Sequence, residues 1–243
     1  MKKYIVVIGL LSALLILMSF GASTAFADEP SGEACKNVEQ VLDRYIEALG
    51  GQEALSKLTS RVCLGQIIHN LPWQNPTMQI AFFEAQAVAP FFYLMEETTD
   101  GGTTRSGFDG EVQWSQDTTG AVHENAGWLF GSTLAFLLNP QNALYIEDYF
   151  PELTLRSSDN DTVCVLVPAN MEEAHHALYF DARTGLLVRV GHYWDLRNYR
   201  EVDGVLFPHL VAQSRKGGST SYMFDEVRHN EEVNKSKLQM PLE

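Results

Sequence analysis

The run 178–208, LYFDARTGLLVRVGHYWDLRNYREVDGVLFP, limits the fold more than any other part of the chain. Two β-forming stretches meet at Asp181-Ala182-Arg183-Thr184-Gly185, and two more meet at Val202-Asp203-Gly204. Asp-Gly between β-formers predicts a two-residue hairpin, because a type I′ turn needs positive φ at both central positions. Connections this short join antiparallel neighbours and leave no room for crossover helices. Large apolar side chains fall on both faces of these strands. An antiparallel sheet that is apolar on both faces must have its second face covered, by helices or by a ligand.

The same signals recur on both sides of this run. Period-2 patterns and turn residues predict strands at 61–69, 77–85, 91–98, 103–108 and 111–116, with a tight turn at Asp109-Gly110. After an interruption they predict strands at 153–157, 162–167, 174–180, 186–194, 197–202, 206–214 and 220–227. A helix precedes them: Asn37 caps it, Gln40 completes a capping-box pattern, and Val38, Val41, Leu42, Tyr45 and Leu49 recur at helical spacing. Gly50-Gly51 ends it, glycine being the residue that tolerates the left-handed cap. A short helix at 52–58 follows. A further helix at 128–138 interrupts the strands and stops at Asn139-Pro140; it is apolar almost all round, so something must cover it on every side. The expected fold is therefore α+β: one large curved antiparallel sheet, a half-barrel of about 11–12 strands, with helices on its concave face.

The N-terminus reads as an export signal. Met1-Lys2-Lys3 precedes an apolar run, and Ala25-Phe26-Ala27 supplies a small-residue cleavage site. The predicted organisation is a signal peptide at 1–27 and a single domain at 28–243; an uncleaved N-terminal anchor is the alternative. The expected location is periplasmic or secreted in a bacterium, and the expected state is soluble and monomeric. The formal net charge of −14 opposes nucleic acid and anionic lipid surfaces. Any contact with lipid, including a transient one with a membrane, then has to be apolar. An exported chain with three cysteines allows one disulfide. Cys35 and Cys63 flank the first helix and are the preferred pair, with Cys164 a buried small hydrophobe.

No motif for catalysis or for a cofactor stands out. The chain has no Gly-x-Ser-x-Gly, no His-Glu-x-x-His, no phosphate loop and no Cys-x-x-Cys. Glu172, Glu173, His175 and His176 come closest to a metal cluster, but adjacent histidines in a strand point to opposite faces. The expectation is no enzyme, no metal and no cofactor.

Several of these segments together resemble a known family. Ala48-Leu49-Gly50-Gly51 with Ala54-Leu55 is followed by a strand. Gly107-Phe108-Asp109-Gly110 comes next, with Trp114. Leu178-Tyr179-Phe180-Asp181 then precedes Thr184-Gly185-Leu186-Leu187, and Tyr199-Arg200 precedes Asp203-Gly204-Val205 and Pro208. In this order and spacing the chain resembles the outer-membrane lipoprotein-sorting or carrier-like family of exported bacterial proteins (LolA/LolB-like). Near the end Asn230 and Val233 fit the family pattern, but Leu238 stands where phenylalanine is usual. The resemblance implies a half-barrel wrapped over a helical lid, enclosing an apolar cavity that takes acyl chains.

The expected function is thus a non-enzymatic exported binding protein that holds an acyl chain, a lipid or an acylated protein. An exported hydrolase or accessory domain with an unrecognised site, and a structural interaction module without a cavity, are the alternatives. The residues expected to line the cavity are Phe82, Phe92, Leu94, Trp114, Phe130 and Phe136. A one-residue slip in register would turn a strand's candidates to its other face.

Overall fold

The computed structural model describes residues 35–74, 77–89, 92–124, 133–134, 136–156, 162–169, 171 and 173–241. The first helix, α1 (Val38–Leu49), starts where the capping pattern places it: the Asn37 side chain accepts from the Gln40 N–H at 2.8 Å. The Gln40 side chain reaches back to the Lys36 N–H at 3.1 Å. A helix of 12 residues is marginal alone, so packing holds it. Val41, Leu42, Tyr45 and Leu49 are its buried residues. Gly50 ends it at φ 127, and α2 (Gly51–Ser56) follows.

Six strands come next: β1 (Ser60–Asn70), β2 (Met78–Val88), β3 (Phe92–Thr99), β4 (Gly102–Phe108), β5 (Gln113–Gln116) and β6 (Val122–Glu124). A 3-10 helix, Pro140–Tyr145, and α3 (Ile146–Tyr149) then lead into β7 (Leu153–Arg156) and β8 (Val163–Pro168). After α4 (Glu173–His176) come β9 (Leu178–Asp181), β10 (Leu187–Val190), β11 (Trp194–Val202), β12 (Val205–Arg215) and β13 (Gly218–His229). A 3-10 turn, Lys235–Leu238, closes the described chain.

All strands belong to one curved antiparallel sheet, ordered β6-β5-β4-β3-β2-β1-β13-β12-β11-β10-β9-β8-β7. It is the expected half-barrel-like α+β architecture with 13 strands rather than 11–12. The extra one, β6, is only three residues long and carries too little pattern to be seen in sequence. The expected strand at 174–180 splits into α4 and β9, so His175 and His176 lie on a helical turn, not on a strand. The Asp203-Gly204 hairpin forms as its sequence demands, with φ 51 at Asp203 and φ 81 at Gly204.

This strand order has a consequence for the segment between β6 and β7. Those strands are the two opposite edges of the sheet, so the intervening chain must travel across it. Twelve inter-strand steps at about 4.8 Å amount to nearly 60 Å along a flat sheet. The described part of this segment takes the same face as α1 and α2: Phe136, Leu138, Ala143, Ile146 and Phe150 share one core with Tyr45, Leu49, Phe83 and Phe207.

The opposite face carries a smaller cluster of Val88, Leu94, Trp114 and Leu238, with Phe92, Val233 and Met240 packed against it. Leu238 is fully buried there, so the C-terminal 3-10 turn covers this part of the outer face. Farther along the same face Met78, Ile80 and Phe82 stay exposed, Phe82 at 66%.

Both hairpins of the 178–208 run dock on α1. The Arg44 guanidinium donates to the Ala182 carbonyl at 2.9 Å, and a side chain on Gly185 would stand 2.8 Å from the Arg44 carbonyl oxygen. Gly50 approaches the second hairpin so closely that a Cβ would lie 2.2 Å from the Gly204 carbonyl oxygen. Only glycine fits such a contact between two backbones.

Candidate functional site

The covering segment is held by a buried cation. Arg61, on β1, is 2% exposed and points into the helix-covered face beside Cys63 and Ile67. One terminal nitrogen donates to the Leu138 carbonyl at 2.6 Å, at the end of the helical residues 136–138. The other lies 3.0 Å from His229 Nε2, on the residue paired with Arg61 across β1 and β13. The guanidinium carbon stands 4.5 Å from the centre of the Phe207 ring.

Burial pulls the Arg61 guanidinium down to about 10, which still leaves it charged at neutral pH. Burial first, and the Arg61 charge second, pull His229 down to about 4, against the opposing pull of Asp203. His229 is therefore neutral at pH 7. Arginine has only donors, so Nε2 accepts and the ring proton sits on Nδ1, which faces an Asp203 carboxylate oxygen 3.9 Å away. No carboxylate pairs with Arg61 among the described residues. Its charge rests on a carbonyl, a neutral imidazole and an aromatic face.

The cover brings more polar groups inside. Asn142 is fully buried and neither end of its side-chain amide has a protein partner; the Gln141 amide nitrogen and Arg61 Nε have none either. Each such group costs on the order of 1–3 kcal/mol relative to a satisfied one. The cover is thus closed over an apolar sheet by an interface with a built-in penalty.

One cavity between the sheet and the described part of the cover, of about 10 Å³, is bordered by Tyr45, Leu49, Phe136, Leu137 and Leu206. That is about the room one water needs, far below the volume of an acyl chain.

Of the six expected lining residues five are described, and they do not share one site: Leu94 and Trp114 border one open cavity with Phe92 packed in the same cluster, while Phe82 and Phe136 lie elsewhere. Phe136 lies under the cover, in the core. Leu94, Gly107 and Trp114 are in register on adjacent strands and so share one face, the outer one. Phe92 and Phe82 lie on that face too, Phe82 in the open. Phe130 lies outside the described residues. Alternation within each strand places these residues together, but only the docking of α1 and the cover decides which face is inner.

The disulfide also differs from expectation. Cys35 pairs with Cys164 on β8, with Cα atoms 5.5 Å apart, and Cys63 is a free buried thiol. Sequence proximity favoured Cys63, but α1 carries the chain about 18 Å from its start. The start of α1 faces β8, while Cys63 sits near the centre of the sheet. Burial pushes the Cys63 thiol up to about 12, so it is unreactive at neutral pH.

One polar trio deserves comparison with a hydrolytic site. His69 Nδ1 lies 3.2 Å from Thr220 Oγ1, and its Nε2 lies 2.9 Å from a Glu97 carboxylate oxygen. The described cavities do not open on it. It joins three strands rather than facing a substrate. In α4, His175 Nε2 contacts the Tyr193 hydroxyl at 3.1 Å.

With this geometry in place, likenesses to solved structures can be weighed. A LolA superfamily protein from Nitrosomonas europaea superimposes with a TM-score of 0.53 at 8% identity, covering 84% of this chain and 97% of that one. A DUF1329 family protein from Desulfovibrio piger gives 0.52 at 12% identity, covering 83% and 99%. The chain has the LolA-like fold. The resemblance drawn from its turn motifs is thus borne out at the level of fold. No family model matches the chain, and no curated protein does. At these identities the LolA-like likeness speaks of architecture alone.

Proposed function

We propose that this chain is an exported, non-enzymatic binding protein that takes an acyl chain or a similar apolar ligand between the sheet and the segment crossing it. The observation that carries the reading is the cover itself: an apolar sheet face closed by a strap whose buried polar groups are incompletely satisfied. Lifting the strap frees Asn142 and Gln141 to meet water, which offsets part of the apolar area exposed. A ligand chain then replaces the strap against the sheet, at about 0.8 kcal/mol per buried methylene. Arg61 is the residue that holds the strap shut. The LolA-like fold supports a binding or carrier role. Export of a mature chain near 28–243 is supported by the leader-like N-terminus and by a disulfide, which needs an oxidising compartment. Among the described residues no helix is long and apolar enough to cross a membrane.

A second reading, an interaction module with a solid core, is favoured by one observation: the cavity of only about 10 Å³ under the described part of the cover. A fluorescent long-chain fatty acid separates the two. The carrier reading expects saturable binding by the native chain, with faster uptake by Arg61→Met. Absence of binding by both proteins, each shown to be folded by circular dichroism, leaves the interaction module.

A further inference from the structure

Helix α1 has two apolar stripes, and only one of them is used by the sheet. Val41, Tyr45 and Leu49 face the core. Val38, Leu42 and Ile46, four residues apart, border an open groove of about 540 Å³ whose other wall is the 3-10 helix and α3; Leu42 itself is buried, Val38 and Ile46 half-buried. On that wall Leu144 and the half-exposed Tyr145 supply the apolar surface. The rim is of one sign: Glu39 and Asp43 on α1, Glu147 and Asp148 on α3, with no lysine or arginine among the described lining residues. None of these four carboxylates forms an ion pair with a described residue. First-turn placement on a helix accounts for Glu39, Glu147 and Asp148. It does not account for Asp43, nor for all four bordering the same apolar floor.

We infer that this groove docks a cationic amphipathic helix of a partner polypeptide. The apolar floor and the acidic rims on both sides match a helix with an apolar stripe flanked by lysine or arginine. From Val38 to Ile46 the floor runs about 12 Å, or roughly two turns of a partner helix, enough for three anchors at i, i+4 and i+7 spacing. The chain's own segment before Cys35 is a poor occupant, since Asp28, Glu29 and Glu33 repeat the groove's sign. A second copy of this acidic chain brings the same sign. The second wall of the groove belongs to the crossing segment, so the groove exists in the closed chain, and peptide binding there needs no acyl chain under the cover.

The test is fluorescence anisotropy with a labelled Lys/Leu peptide of helical pattern, at physiological salt, on the full exported chain. Asp43→Asn with Glu147→Gln should weaken binding about tenfold, since two exposed pairs of this kind are lost. Leu144→Ser should weaken it by a similar factor. Neutralising Glu124 and Glu201, exposed elsewhere, should change it less than twofold. Equal losses from both pairs of neutralisations, or equal binding of a scrambled peptide of the same composition, would overturn the inference and leave bulk attraction to an acidic protein. Self-association abolished by the Leu144 variant would overturn it in favour of a second copy. Circular dichroism at the binding temperature should show every variant folded, so that lost binding is not lost folding; Leu144, half-buried against the core, is expected to melt somewhat lower as serine.

Discussion

Replacing Arg61 by methionine tests the role of the cover most directly. The side chain becomes shorter and apolar, and it loses its charge and its donors. Leu138 loses a hydrogen bond from a charged donor, worth about 1.5–3 kcal/mol, and the guanidinium contact with Phe207 contributes about 1–2 kcal/mol more. Against this, the penalty of burying an unpaired cation disappears, and that is several kcal/mol. Global stability should therefore move by less than about 2 kcal/mol in either direction. The strap, by contrast, loses its tie to the sheet. A local loss of about 2 kcal/mol raises its open population about thirtyfold.

Hydrogen exchange read residue by residue separates the two effects. Amides in 136–150 should exchange about thirtyfold faster, while those of β12 and β13 stay as they were. His229 supplies a second readout: without the neighbouring cation its pKa should rise above the value of about 4 that burial and Arg61 impose, followed by the imidazole proton shifts. A uniform rise in exchange along the whole chain would mean that Arg61 is an ordinary core residue. Unchanged exchange in 136–150 would mean that it holds nothing shut.

Three further outcomes are expected. Removing the Cys35–Cys164 bridge by double serine substitution should cost up to about 5 kcal/mol in urea unfolding, because it closes a loop with a sequence separation of 129; a loss under about 1 kcal/mol would contradict a bridge joining the start of α1 to β8. Stability should fall as pH drops from about 6.5 towards 4: the unfolded chain protonates His229 near the ordinary histidine value, the folded chain only near 4, so the unfolded state binds more protons in that window. His229→Gln should flatten that part of the stability curve, and an unaltered curve would rule out this residue as its source. Phe82→Ser should change stability by less than about 0.5 kcal/mol, since Phe82 is 66% exposed; a loss above about 2 kcal/mol would show that the outer face is covered in solution.

What the sequence disclosed was local, and the reasons are physical. The Asp203-Gly204 turn was legible because the backbone conformation it demands is set by those two residues. Helix α1 was legible down to its cap for the same reason. A period of two puts Met78, Ile80 and Phe82 on one face of β2, opposite Phe83. Which face is inner did not follow, because both are apolar and the choice is made by elements distant in sequence. The cysteine pairing failed likewise, since Cys35 and Cys164 meet only when α1 lies over the late strands.

Arg61 is the instructive omission. It stands alone among Val62, Cys63, Leu64 and Ile67 in a run otherwise suited to a buried strand, and its partner carbonyl lies 77 residues away. A lone cation on the inward face of such a strand is costly unless it has work to do there, so the signal was present, while its partner was not readable. The topology explains why that work falls at this point. Two meanders meet where β1 pairs with β13, and their far ends, β6 and β7, are joined only by the crossing segment. A strap joined to the sheet at its two distant edges cannot gain hydrogen bonds from the sheet's own ladder. Its closure therefore depends on side chains from the middle strands, and Arg61 on β1, beside the β1–β13 seam, is in the position to supply one.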